Sequence, residues 1–254
     1  MNQAQLENLN YWLEHYSTGF LSGDPEIDPN IQFKIDHTYR VRDNIFAIAT
    51  SLDLSPDNIR IAEVIGLLHD VGRFEQFTKY GTYRDDISED HAALGLKVLA
   101  INQVLRGLSD EEKNIVETAI GYHNKYLLPK LLSDDCLMFC KLIRDADKQD
   151  ILEQLANEVV ETYPNRDEYS PKVIESILEG RGVSFTDAKT PADIKLMRMS
   201  WVFDINYSLT LKRIMDMRFL ERMLAKLPQT VDSQRVYDYL KNYLGQRLNL
   251  GNKS

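Results

Sequence analysis

The sequence predicts an all-α fold: a single globular helical domain with a helical C-terminal extension. Apolar residues recur at three- and four-residue spacing along most of the chain, which is the helical period. Serine, threonine or aspartate stands ahead of several of these runs, where a side-chain oxygen can accept from the open N–H groups of a first turn. No stretch reads as a convincing strand, no repeat of fixed length recurs, and no tract is of low complexity.

Leu6, Leu9, Leu13 and Tyr16 mark a first amphipathic helix, which Ser22-Gly-Asp-Pro25 ends. A second runs from about Ile35 to Thr50, with Val41, Ile45, Ile48 and Leu52 on its buried side. Ser55-Pro-Asp57 opens a third through Ile59, Ala62, Ile65 and Leu68, and proline is harmless so early because its missing N–H has no partner there. Residues 76–90, rich in Tyr, Thr, Gly and Asp, show no period and read as a loop. Asp90 is the expected N-cap of a helix carrying His91, Leu94, Val98 and Leu99. Ser109-Asp-Glu-Glu112 fits a capping box ahead of Ile115, Val116, Ala119 and Ile120. The next helix starts near Asp134 and passes Leu137, Phe139, Leu142 and Ile143 to Leu152. Polar breaks fall at 163–169 and 181–190. Thr190-Pro191 then opens a long helix past Trp201 and Ile205 towards Met223, and Asp232-Ser233 starts the last through Val236, Leu240 and Leu244. The first break is too short to demand separate domains, so residues 1–254 read as one.

At 254 residues, 43% apolar and 27% charged, the chain has ordinary globular composition and can bury a sizeable core. Its formal net charge of -9 argues against a nucleic-acid polymer as partner, since that needs a dense basic surface. A nucleotide stays open, because a metal ion can supply the positive field locally. Cys136 and Cys140 share a helix face, which suits core packing and a reducing compartment. The first residues lack a basic start followed by an apolar run, and no apolar stretch is long enough for a bilayer. The expectation is a cytoplasmic protein without membrane contact.

Four of the five histidines lie between residues 37 and 123, each on or at the edge of an expected helix. His37 leans to the side of Val41 and Ile45, His69 ends the apolar run from Ile65, and His123 follows Val116 and Ile120 on their face. Asp145 and Asp147 occur in an otherwise buried helix. Burying so many ionisable groups costs several kcal/mol or more unless each is paired or bound to a cation. Imidazoles and carboxylates converging from different helices are the usual ligands of divalent transition metals. Taken singly, each has a plainer reading. An inward histidine is more often a hydrogen-bonded core residue, a His-Asp pair at a helix end is common by chance, and Asp145 and Asp147 can pair with Arg144 and Lys148. His15 is read as a surface or packing residue. The joint occurrence, in order, favours a metal site.

That ordered set resembles the HD-domain superfamily of metal-dependent phosphohydrolases, whose signature is a histidine, a later His-Asp pair and a final aspartate. Here these are His37, His69-Asp70 and an aspartate within Arg144-Asp-Ala-Asp-Lys-Gln-Asp150. The resemblance covers roughly residues 30–155 and implies an HD-type metal-binding core there, with 156–254 as the extension. It assigns the aspartate after alanine, Asp147, as the last ligand, with Asp145 second. Members with two metals add two histidines, matched here by His91 and His123. The resemblance then implies Asp70 as the bridge, with His37, His69 and Asp147 on one ion and His91 and His123 on the other. One or two divalent ions are expected, among Fe, Mn, Co, Ni, Zn and Mg.

The implied reaction is hydrolysis of a phosphate ester or anhydride of a small molecule, a nucleotide first, by a metal-bound hydroxide. Asp70, His123 and Arg73 are the expected catalytic residues, His123 serving as general acid if it is not a ligand. Arg73, Lys125, Arg144 and Lys148 are candidates for holding phosphate oxygens, each with a plain alternative as a surface charge. The loop from Phe77 to Asp86, with Tyr80, Tyr83 and Arg84, is expected to border the site. Relatives with a mixed-valent di-iron centre make an oxygenase the alternative, and a non-catalytic signalling module is the third class. The long helix from Pro191 can pack on the core, roof the site or form a homodimer contact, and Asp204 and Asn206 within it are core hydrogen-bonding groups or substrate contacts.

Overall fold

A computed structural model describes residues 1–158 and 169–251, and of the break read at 163–169 all but the last residue lies outside them. The described residues form α-helices and short 3-10 turns with no strand among them, as the spacing of apolar residues requires. No helix among them is long and apolar enough to cross a membrane. The chain divides into two compact units, Met1–Asp147 and Lys148–Ser254.

The first unit opens with α1 (Gln3–Thr18), started by a capping box between Asn2 and Gln5. Helix α2 (Asp28–Ser51) begins several residues before the expected Ile35, with Pro29 in its first turn. The added turns bury Ile31 and Lys34 on the same face as His37. Leu52, expected on the buried side, is 39% exposed just past the helix end. Helix α3 (Pro56–Leu68) is capped by Ser55, and His69 stands at its C-cap. Gly66 lets α3 lie hard against α2: a Cβ there would come within 2.9 Å of the Arg42 Cα and of Ile45.

The expected loop over 76–90 is in part helix. After a turn at Asp70-Val71, α4 (Gly72–Tyr80) forms and ends at Gly81, which takes the left-handed conformation that glycine adopts freely. Phe74 and Gln76 are buried on it. The four polar or aromatic residues that close α4 hid its short period. A 3-10 turn at Asp85–Ile87 leads to α5 (His91–Ile101). Asp90 caps it as expected, accepting from the N–H groups of Ala92 and Ala93 at 3.0 and 3.2 Å. Helix α4 crosses α5 with almost no gap, since a Cβ on Gly72 would meet the His91 carbonyl at 2.3 Å and the Gly95 nitrogen at 2.5 Å. Helix α6 (Asp110–Tyr122) carries the capping box of Ser109 and Glu112, and α7 (Asp134–Asn157) follows. Cys136 and Cys140 are free and buried in the core.

The second unit contains a separate apolar core built around Val173, Leu196, Val202, Phe219, Val236 and Leu240. Helix α8 (Pro171–Leu178) was not anticipated. The single long helix expected from Pro191 is broken into α9 (Pro191–Met199), α10 (Ser208–Asp216) and α11 (Phe219–Leu224), with a 3-10 turn at Ser200–Asp204. Ile205 and Tyr207 are extended and Arg218 has φ of 55°, so the helical path is interrupted twice. Apolar residues on both sides of each break keep a helical spacing that conceals it. Helix α12 (Val231–Gly251) ends the described chain.

Candidate metal centre

His37 comes from α2, His69 and Asp70 from the end of α3, His91 from the first residue of α5, His123 from the C-cap of α6 and Asp147 from α7. The structure brings all of them together around Asp70. One carboxylate oxygen, Oδ2, lies 3.4 Å from His37 Nε2 and 3.7 Å from His69 Nε2. The other, Oδ1, lies 3.4 Å from His91 Nε2 and 3.7 Å from His123 Nε2. Asp147 joins the first side, 3.2 Å from His37 Nε2 and 3.9 Å from His69 Nε2. Two groups of ligand-type atoms, His37-His69-Asp70 and Asp70-His91-His123, are each compact enough for one ion and share Asp70. Asp145 is buried two residues away, in neither group.

The imidazoles are oriented from behind. His69 Nδ1 donates to the Gly66 carbonyl at 2.8 Å, His123 Nδ1 to the Ile120 carbonyl at 2.7 Å, and His91 Nδ1 to Asp85 Oδ2 at 2.6 Å. An acceptor behind Nδ1 requires the proton there, which turns the Nε2 lone pair to the centre. His69 Nε2 is buried and makes no hydrogen bond among the described residues. The Nε2 atoms of His91 and His123 face each other at 2.9 Å. Two lone pairs at that distance repel unless a proton or a cation lies between them. Burial pushes His69 down to about 4, against the partial opposition of Asp70 and Asp147. Burial likewise pushes His91 down to about 4, although its bond to Asp85 works the other way. Both are therefore neutral near pH 7, the form that binds metal.

The carboxylates are held charged. Burial alone would raise Asp70, but the charges of Lys34 and Arg73, with a hydrogen bond from His123, overcome it and keep it well below the ordinary carboxylate range. Burial also opposes ionisation of Asp147, and there the hydrogen bond from His37 prevails and keeps it below the ordinary range. Neutral His69 and His91, ionised carboxylates and an unsatisfied Nε2 in a buried cluster fit a divalent cation better than a protein-only core.

Sequence reasoning missed the outer ring. Asp85 accepts from His91, from Arg73 Nη1 at 2.9 Å, from Gln76 at 2.8 Å and from Asn124 at 3.3 Å. Gln76, fully buried, also donates to Ser88 Oγ and the Glu89 carbonyl. Lys34 donates to Asp70 Oδ2 at 2.8 Å. Its only sequence signal was a lysine one turn before His37 on an otherwise apolar face.

The proposed phosphate contacts divide. Arg73 lies at the centre, its Nε 3.5 Å from Asp70 Oδ1. Lys125 pairs with Asp90 at the start of α5. Arg144 closes the end of α6, donating from Nη1 to the carbonyls of Tyr122, His123 and Lys125. Lys148 lies 2.9 Å from the Asp204 carboxylate within the second unit. Of the expected loop, Tyr83 donates to the Asn30 carbonyl at 2.8 Å, whereas Arg84 pairs with Asp86 at the surface.

An all-α bundle with histidines and aspartates from successive helices around a shared carboxylate defines a metal-binding helical domain. The HD-domain model matches residues 35–178, and the chain belongs to that family, a superfamily of metal-dependent hydrolases. No curated protein and no solved structure matches the chain.

Proposed function

We propose that this chain is a metal-dependent phosphohydrolase that cleaves a phosphate ester or anhydride of a small molecule, with nucleotides as the leading substrate class. The observation that carries the reading is the division of Asp70, whose two oxygens each face a separate group of imidazoles. By that reading His37, His69, Asp147 and Asp70 would hold one divalent cation, and His91 and His123, with Asp70 shared, a second. Cations bound there would supply Lewis acidity and a water that ionises near neutral pH.

The chain's own residues do the rest. The Gly66 and Ile120 carbonyls and Asp85 hold three imidazoles with Nε2 inward, so little reorganisation accompanies binding. Arg73 is pinned by Nη1 to Gln76, Tyr83 and Asp85. Its remaining edge can meet a phosphoryl oxygen, and a guanidinium held in this way loses little entropy when it does so. Burial of the histidines keeps water away from the charges and strengthens their action on the substrate.

The test is an activity screen of the metal-loaded protein over nucleoside mono-, di- and triphosphates, dinucleotides and sugar phosphates, with metal content and oxygen uptake measured alongside. Phosphate release with near two equivalents of metal is expected. A coupled pair of iron ions with oxygen uptake and no phosphate release would replace this reading with an oxygenase.

A further inference from the structure

We infer that Lys34 and Arg73 form a two-sided clamp for a terminal phosphoryl dianion, so that the substrate is a phosphomonoester or a terminal anhydride rather than a diester. The inference rests on the phosphohydrolase reading above. Lys34 stands one residue before the segment the family model matches. It lies one turn before His37 on the same buried face of α2, and its side chain is 11% exposed.

The two cations address opposite oxygens of Asp70: Lys34 Nζ is 2.8 Å from Oδ2 and Arg73 Nε is 3.5 Å from Oδ1. Both also stand against the Tyr83 ring, 5.3 and 6.0 Å from its centroid. Tyr83 is itself fixed by stacking on Phe77 at 4.7 Å and by its bond to Asn30. Both side chains thus border the same carboxylate and the same ring, where one phosphoryl group would meet them.

Donor accounting shows what is left over. The Lys34 ammonium has three N–H groups, and among the described residues Asp70 is its hydrogen-bond acceptor. Arg73 Nη1 is spent on Gln76, Tyr83 and Asp85, while Nη2 makes no hydrogen bond among the described residues. Each cation therefore keeps unspent donors beside the same carboxylate. With two divalent cations bound, they, Lys34 and Arg73 would outweigh Asp70, Asp85 and Asp147. A phosphoryl dianion offsets that surplus better than the single charge of a diester, and its three unesterified oxygens can meet both side chains and the cations at once. The plainer role for Lys34 is to neutralise Asp70, and it predicts a change in metal affinity instead of anion affinity.

The experiment measures binding of inorganic phosphate and of dimethyl phosphate to the full chain loaded with Mn²⁺, by calorimetry, with bound metal counted by elemental analysis. The wild-type protein should bind inorganic phosphate at least tenfold more tightly than dimethyl phosphate. Lys34→Gln should weaken phosphate binding about tenfold (one charge-assisted contact) and narrow that ratio while metal content holds, and Lys34→Arg should restore most of it. Equal affinity of the wild-type protein for the two anions overturns the terminal-phosphoryl assignment. Unchanged phosphate affinity in Lys34→Gln, with altered metal affinity, overturns the role of Lys34 and leaves the phosphohydrolase reading standing. A metal-loaded wild-type protein that neither binds phosphate nor releases it from any substrate overturns both.

Discussion

The two sides of Asp70 are built by different means. On the Oδ2 side a second carboxylate, Asp147, points into the centre beside His37 and His69. On the Oδ1 side no second carboxylate among the described residues faces inward; Asp85 stands behind His91 instead, joined to its Nδ1. One side thus places negative charge on the ligand shell, and the other applies it through an imidazole. A charge in direct contact attracts a cation more strongly than one relayed through a ring. If both sides bind metal as proposed, the Oδ2 side should fill first, and the Oδ1 side should be the more open to exchange and to substrate.

Asp70→Ala breaks both sides together and carries the largest expected effect. Elemental analysis should find both equivalents of metal gone, and hydrolysis should fall by roughly 10³-fold, the rate equivalent of several kcal/mol of lost charge stabilisation. Unchanged metal content in that variant would remove Asp70 from the centre altogether. The comparison is sharpened by Asp85→Asn, which keeps the shape of the side chain and removes its charge. Metal affinity on the Oδ1 side should drop about 10- to 100-fold, with the Oδ2 side unaffected, so titration should show one tight and one weakened equivalent. Asp147→Ala should give the mirror result, and equal weakening of both equivalents by either variant would dissolve the distinction.

The smallest effect is in pH. His69 and His91 lie near 4 in the folded protein, against an ordinary 6.5. Between these values the unfolded chain takes up protons that the folded chain refuses, so stability falls as pH falls through that window. Asp70, Asp85 and Asp147, held below their ordinary 3.8, add to the loss only in stronger acid. The melting temperature of metal-stripped protein should therefore drop by several degrees between pH 7 and pH 4.5. A flat profile would show that the histidines titrate normally.

How much of this could be read from the chain depended on whether local spacing carried the information. The helices of the first unit have caps and apolar faces, and the inward histidines follow those faces, so the ordered set of histidines and aspartates that the structure brings together was visible. Asp85, Gln76 and Lys34 were not. Asp85 sits in a polar segment without period, and what distinguishes it is its contact with His91, six residues on, and with Arg73, twelve before. Arg144 shows the same limit: its Nη1 donates to carbonyls about twenty residues away, a contact that spacing along the chain does not show. The breaks at Ile205, Tyr207 and Arg218 were hidden because apolar periodicity survives a change in helix direction.

The crossing of α4 over α5 at Gly72 has a bearing on how the chain can vary. Because the His91 carbonyl and the Gly95 nitrogen occupy the space a side chain at 72 would need, the gap between the helices acts as a ruler for the distance from Asp70 to His91. Lengthening that ruler by even one methyl group would move His91 as a rigid body with its helix while leaving His37 and His69, on other helices, where they are. A single-atom change in the backbone packing could thereby turn a shared carboxylate into one that serves its first side alone.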